Sequence, residues 1–425
     1  MKIAWKLLLA TCVVPVLIWA MGIRIAEIAE ESLLESIKSA ASVEVRSVRE
    51  QIDRLITNRT ANWRAYSRNS QVNEALAESN SRYAAMPDPA AYVLEQDRIW
   101  AANETAASRR LVEEVMGNQL SRDLRATLEV LNEVSGYPVF GEVFVTNAHG
   151  ANIAQTGLTS DFRQDDEEWW QRAASEGIYI GDAGLDESAG IFSIEICPRI
   201  DDQDGTMLGV MKAVMNIRNV VDIVDSHAAH LAPDTELALL TADAKIIRIG
   251  NTHTEPLADG SRFLNGVDRT EIAPVAAAFG IDPRTGREKL SAYAVSEAGG
   301  GAGSLGWIVV QQFDGETILA PIRHLKRQIV IVSLGAALAG LVILLWIALP
   351  LGRRIGRLNE ATDAVARGEW QTRIETSGND EITKLSERFN LMTGQLSAAA
   401  RELTVAKERA EDALSLIHIS EPTRL

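Results

Sequence analysis

The densest group of chemically capable side chains lies between Phe162 and Trp170. Four consecutive carboxylates, Asp165, Asp166, Glu167 and Glu168, run into two adjacent indoles, Trp169 and Trp170. Aromatic faces beside carboxylates suit an ammonium group, which gains from cation–π contact and from charge-assisted hydrogen bonds. A second reading stays open. Acidic side chains at a helix N-terminus complement the helix dipole, and one indole packs into the core. Further on, Asp182, Asp186 and Glu187 form an acidic loop that could touch a ligand, hold a cation or face water. Such loops are common, so this spacing is a weak metal signature. No metal and no cofactor are expected.

Catalytic constellations do not emerge from the rest of the chain. None of the six histidines sits in an H-E-x-x-H string or beside a Ser or Cys nucleophile motif. His227 and His230 share a helix face at i, i+3, but without further ligands nearby they read as structural. The two cysteines, Cys12 and Cys197, supply neither a disulfide framework nor a zinc site. The chain as given is not read as an enzyme.

A different kind of motif lies near the C-terminus. Leu351, Ile355, Leu358, Thr362 and Val365 recur at spacings of four and three, the mark of a helical packing seam. Pro350 precedes this run and Gly368 ends it. A connector over 369–379 carries Ile374 as a lone apolar plug. Asp380 and Glu381 then open a second helix, where negative charge is favoured. Its seam is Ile382, Leu385, Phe389, Met392, Leu396 and Ala399. Neither helix can bury its seam alone in water, so a homodimer is expected.

The elements that position these groups follow from charge and hydropathy. Residues 24–328 hold 29 Lys and Arg against 46 Asp and Glu, a net of −17, while the remainder holds 13 against 12. An acidic block of this kind repels phosphate and argues against nucleic acid as a partner. Uncharged runs flank it at 7–23 and 329–349, each long enough to cross a bilayer. The first competes with a cleavable signal peptide; the helical pattern that continues past it favours an uncleaved anchor. Lys2 and Lys6 precede the first span, and Arg353, Arg354 and Arg357 follow the second. By the positive-inside rule both termini, including 1–6, are cytoplasmic and 24–328 lies outside, which in a bacterium means the periplasm beyond the inner membrane. Arg323, Lys326 and Arg327 weaken that signal.

Within the outer block, 24–135 reads as a helical stalk. One helix is expected from 25 to about 80, and a second from about 91 to 134 with a break near Gly117. Residues 136–230 and 231–325 each read as strand–turn–strand, a helical insert and a hairpin, which predicts two related modules in tandem. The fold class is α+β.

Specific strings carry a family resemblance. VTNAHG at 145–150, DDEEWWQR at 165–172, YIGDAGLDESAG at 179–190, the turn at 204–205 and LGWIVV at 305–310 follow a long helix in order. This block resembles the double Cache sensors. The resemblance implies a membrane-distal and a membrane-proximal PAS-like module, the distal one holding a small ligand. It places Phe162, Glu167, Trp169, Trp170, Tyr179, Asp182, Asp186 and Asn216 as candidate ligand-binding residues. The amino-acid-sensing branch of that family has Arg where Glu167 stands, Tyr at Gly184 and Asp at Asn216. These departures argue against an α-amino-acid ligand and leave a neutral or cationic small molecule. Residues 350–403 resemble the HAMP relay family, with Pro350, Leu358, Gly368, Ile374, Asp380, Glu381, Phe389 and Met392 as relay residues. The resemblance implies a parallel four-helix bundle made by two chains.

The whole reads as the front end of a bacterial sensor histidine kinase, with a response regulator as downstream partner. The alternatives are a chemoreceptor or a diguanylate cyclase with the same front end, or a membrane-tethered ectoenzyme. Residues 404–414 continue the heptad into a signalling coiled coil. Residues 415–425 lose the seam and contain Pro422; they resemble translated sequencing-adapter read-through, and the output domain is expected beyond this chain.

Overall fold

The computed structural model describes residues 3–102, 105–186, 191–250, 252, 255–267, 273–298 and 304–419, with side chains from 12 to 412. Glu187, Lys2 and residues 420–425 lie outside the described residues. The chain forms two compact units, Ser32–Ile322 and a second made of Met1–Glu31 with Arg323–Leu425.

The helical part begins with α1 (Ile3–Tyr66), which runs through Pro15 without ending. In the unit Ser32–Ile322 its buried stripe is Ala41, Val45, Val48, Ile52, Ile56 and Trp63. Fully burying side chains of this size contributes about 1.5–3 kcal/mol each. The expected single helix to residue 80 is in fact two. Asn69 accepts from Gln71 N–H and starts α2 (Ser70–Ala84). The expected second helix is three: α3 (Pro89–Ala101), α4 (Ala106–Gly117) and α5 (Gln119–Ser135). Asp88, Thr105 and Asn118 each accept a backbone N–H at the new starts; the break before Asn118 is the one expected near Gly117, whereas the break before Thr105 rests on a side-chain cap that apolar periodicity does not reveal. Gly136 closes α5 in the left-handed region at φ +72°.

Two antiparallel sheets follow. The first contains β1 (Phe140–Asn147), β2 (Asn152–Gln155), β3 (Ile178–Ile180), β4 (Gly184–Asp186), β5 (Ile191–Asp201) and β6 (Met207–Asn216). Its order is β2-β1-β6-β5-β3, with β4 also pairing β5. Helix α6 (Glu168–Glu176) precedes β3, and α7 (Arg218–Ala228) leads out. The second sheet runs β8-β7-β11-β10-β9, from β7 (Thr235–Leu240), β8 (Ile246–Ile249), β9 (Val275–Ile281), β10 (Glu288–Val295) and β11 (Ile308–Asp314), with a 3-10 turn at Ser261–Leu264. The helical insert expected in this second module is only that turn, and β9 was not foreseen. One apolar cluster joins α1 to both sheets, with Ile194, Met211 and Met215 from the first and Leu237, Ala292 and Val309 from the second.

In the other unit, α8 (Gly315–Ala366) passes straight through Pro350, so the apolar run and the first seam share one helix. Gly368, at φ +91°, turns the chain after it. Helix α9 (Glu381–Ile419) continues past residue 414. Both α1 and α8 are long and apolar enough to cross a membrane, and only 17% and 6% of their most apolar windows are buried. A soluble core helix would bury most of that surface.

Candidate functional site

A cavity of about 370 Å³ opens on the first sheet. Its floor comes from three strands, each sending one charged side chain into the cavity: Glu142 on β1, Glu195 on β5 and Lys212 on β6. Alternation along a strand sends such residues to the face opposite the core. Helix α6 lays Trp169 over this floor, where it meets Phe144 edge-on with ring centroids 5.7 Å apart. Lys212 Nζ lies 2.6 Å from Glu195 Oε1 and 5.0 Å from the Trp169 ring. Burial works to lower the Lys212 pKa, but the charge and hydrogen bond of Glu195, with Glu142 adding, outweigh it and leave the ammonium raised. Cys197, wholly buried beneath, has its thiol pushed well up by desolvation and is a poor nucleophile.

Glu167, Trp169, Asp182 and Asp186 line this cavity. Phe162, Trp170, Tyr179 and Asn216 are not brought to it. Phe162 packs against Trp100 of α3, because the backbone bridge between Ala151 and Arg163 sends its ring to the helical side. Trp170, one helical step round from Trp169, donates to Thr146 Oγ1 at 2.8 Å. Tyr179 lies under the Arg172 guanidinium at 4.7 Å; burial, then Glu195 and Glu168, raise its phenol. Asn216 accepts from Arg218 N–H and donates to Pro138 O, holding the entry to α7. The acidic run also divides. Asp165 and Asp166 hold Arg163, at 2.6 and 3.6 Å, while Glu167 faces the cavity.

Sequence reasoning missed Glu142, Asp161, Glu195 and Lys212. The signal for Glu142 and Lys212 was a lone charge inside an otherwise uncharged strand, and for Glu195 a charge between two isoleucines. His227 bridges Glu44 and Gln51 of α1, each at 2.8 Å, in keeping with a structural role. Among the described residues no group of three or more His, Cys, Asp or Glu could hold a metal ion.

At the relay, Asp380 Oδ1 accepts from Thr383 N–H at 2.8 Å and Oδ2 from Arg354 at 2.9 Å. Its carboxyl is held below the usual range, first by the backbone N–H of Thr383 and then by its hydroxyl, with Arg354 adding to both. Glu381 is the first residue of α9. Ile374 is pinned by its backbone, donating to Asn390 Oδ1 at 2.9 Å and accepting from Asn390 Nδ2 at 2.7 Å. The face of α9 turned inward within one chain is Thr383, Ser386, Phe389 and Thr393. Leu385, Met392 and Leu396 stay 49%, 46% and 40% exposed.

Residues 346–398 match the family model of the HAMP domain. A stretch of 109 residues is 32% identical to the sensor histidine kinase YclK of Bacillus subtilis, covering 24% of this chain and 23% of that protein. The chain thus spans about a quarter of the curated relative it matches. Among solved structures, similarity reaches the sensory domain of the Campylobacter jejuni chemoreceptor Tlp3 (16% identity, 69% of this chain, 99% of that chain, TM-score 0.40). It also reaches the extracellular domain of the histidine kinase rpHK1S-Z16 (13% identity, 61% and 98%, TM-score 0.36). The ligand-binding domain of the Pseudomonas aeruginosa chemoreceptor PctB with L-Arg is similar too (17% identity, 56% and 92%, TM-score 0.35). The chain thus carries a HAMP match that begins within the second of two helices long and apolar enough to cross a membrane, with an α+β segment between those helices.

Proposed function

We propose that the cavity on the first sheet binds a small cationic or neutral polar molecule, not an α-amino acid. One observation carries this reading. Six carboxylates face the cavity, Glu142, Asp161, Glu167, Asp182, Asp186 and Glu195, and the one lysine among its lining residues is already paired with Glu195. An ammonium would meet opposite charge and the faces of Trp169 and Phe144. A carboxylate would be repelled, and would have to separate Glu195 from Lys212. Titration calorimetry on the full chain in lipid nanodiscs tests this with putrescine, choline, L-alanine and malate. Heat of binding is expected with an amine, and tight binding of malate or L-alanine would sink the reading.

Occupancy of the cavity is passed to a histidine kinase output and a response regulator, which the likeness to YclK supports. The relay works as a homodimer with residues 24–328 outside the inner membrane and both termini inside. The exposed row Leu385, Met392 and Leu396 supports the dimer, since an apolar row of this length is covered by a partner helix in water. Cysteines placed at Leu358 and Leu385 should crosslink between chains in membrane vesicles. A monomer under those conditions overturns the dimer.

A further inference from the structure

Trp307 is fully buried, and its indole N–H donates to Asp182 Oδ1 at 2.6 Å. The two residues belong to different modules. Asp182 lies between β3 and β4 on the wall of the cavity. Trp307 immediately precedes β11, the middle strand of the second sheet, and Gly315 follows β11 as the first residue of α8. The main chain of Trp307 is held as well. Its carbonyl accepts from Ser296 N–H at 2.6 Å, and the Ser296 hydroxyl donates to Asp53 Oδ1 of α1 at 2.5 Å. One residue therefore meets the cavity wall through its ring, and reaches both α1 and the strand before α8 through its backbone.

We propose that the hydrogen bond from Trp307 to Asp182 is the contact through which occupancy of the cavity reaches the strand that feeds α8. The proposal rests on reading the cavity as a ligand site. An indole has one donor and no acceptor, and a buried donor deprived of its partner is strongly disfavoured. Trp307 must therefore follow Asp182 when the wall moves, or lose its only side-chain hydrogen bond. The wall is lightly held. Asp182 is exposed, and the strands on either side of it have three residues each. Asp182 Oδ1 also accepts from Ala183 N–H at 2.7 Å, so a cation drawn to this carboxylate competes with both donors for one oxygen. Trp307 is a positioning residue in this scheme: it lines no part of the cavity, and acts through Asp182.

Hydrogen exchange of the full chain in nanodiscs, without any ligand, tests the link. Trp307→Phe keeps an aromatic ring and deletes the donor. Asp182→Ala deletes the acceptor at an exposed site, so it provides a readout even where Trp307→Phe folds poorly. Each is expected to speed exchange over 308–314 by about tenfold or more. The double variant should exchange no faster than the quicker single one, because both delete the same bond. Asp182→Asn keeps an acceptor oxygen and should stay near the parent. Unchanged exchange over 308–314 in the single variants overturns the proposal, as do multiplicative effects in the double variant. Because no ligand is used, that failure leaves the cavity reading standing, and a failed amine titration leaves the coupling result standing.

Discussion

Lys212 and Glu195 form an ion pair at 2.6 Å on the floor of the cavity, beneath the Trp169 ring. The pair fixes what the floor offers to a ligand, because it turns the cavity's lysine into an internal partner. It also ties β6 to β5 on the face away from the core.

Replacing Lys212 by Met should therefore destabilise the sensor, since Glu195 loses its counter-charge while remaining partly buried. The expected loss is about 1–3 kcal/mol, below the full value for a sealed pair because Glu195 keeps contact with water. The dependence on pH has a definite sign. The Lys212 pKa is raised above its ordinary 10.5 in the folded chain. The pair's contribution is thus fully present below 10.5 and fades as pH rises through the folded value. Thermal melts of parent and Lys212→Met chains should converge only above that point. Convergence near neutral pH would contradict the assignment.

Arg262 grips Glu236 with a fork, at 2.8 and 3.0 Å, and Lys289 adds a second cation at 3.6 Å. The Arg262 hydrogen bond is the main reason the Glu236 carboxyl lies below its ordinary 4.5, working against burial. This contribution is complete above pH 4.5 and is lost as pH falls through the lowered value. Arg262→Ala should cost about 1–3 kcal/mol at pH 7 and much less at pH 3, read by denaturant unfolding. An equal cost at both values would show that packing, not the ion pair, is what Arg262 supplies.

Much of this architecture is legible in the chain. Hairpins such as β7–β8 and β10–β11 announce themselves by apolar runs around turn residues, and α8 and α9 announce themselves as helices by their apolar spacing. Helix breaks at Asn69 and Thr105 are less legible, because each depends on one capping side chain within a pattern that would otherwise continue. β9 is alanine-rich, and becomes a strand only by pairing with β10 along its length. At the cavity, the acidic string and the tryptophans lie at the start of the helix that borders it. Which indole faces inward depends on helical phase. Whether Phe162 faces inward depends on a backbone bridge that no local pattern encodes. Lys212 and Glu195 meet only once β5 and β6 are in register.

Asp380 both caps α9 and receives Arg354 from the preceding helix. The two roles separate by substitution. Asp380→Asn keeps an oxygen for Thr383 N–H and loses the charge facing Arg354; Asp380→Ala loses both. Helicity over 381–390, followed by hydrogen exchange, should fall in the alanine variant and hold in the asparagine one. If both variants lose helicity alike, the ion pair rather than the cap sets the start of α9.

Gly22 of α1 and Ser333 of α8 approach so closely that a Cβ at position 22 would overlap the Ser333 hydroxyl and Cβ, with Ser333 Cα at 3.7 Å. Small residues at such crossings let membrane helices pack backbone to backbone. Gly22→Ala should therefore force the two helices apart and destabilise the full chain in detergent by about 1–3 kcal/mol. Ser333→Ala offers no relief, because its Cβ remains in the way. Ser333→Gly does, since the remaining Cα lies at ordinary contact distance. The Gly22→Ala, Ser333→Gly double variant should thus recover most of the lost stability, whereas Gly22→Ala, Ser333→Ala should not. Thermal unfolding of the four chains reads the difference. A harmless Gly22→Ala, or equal behaviour of the two double variants, would mean that the helices do not meet at this level in the bilayer.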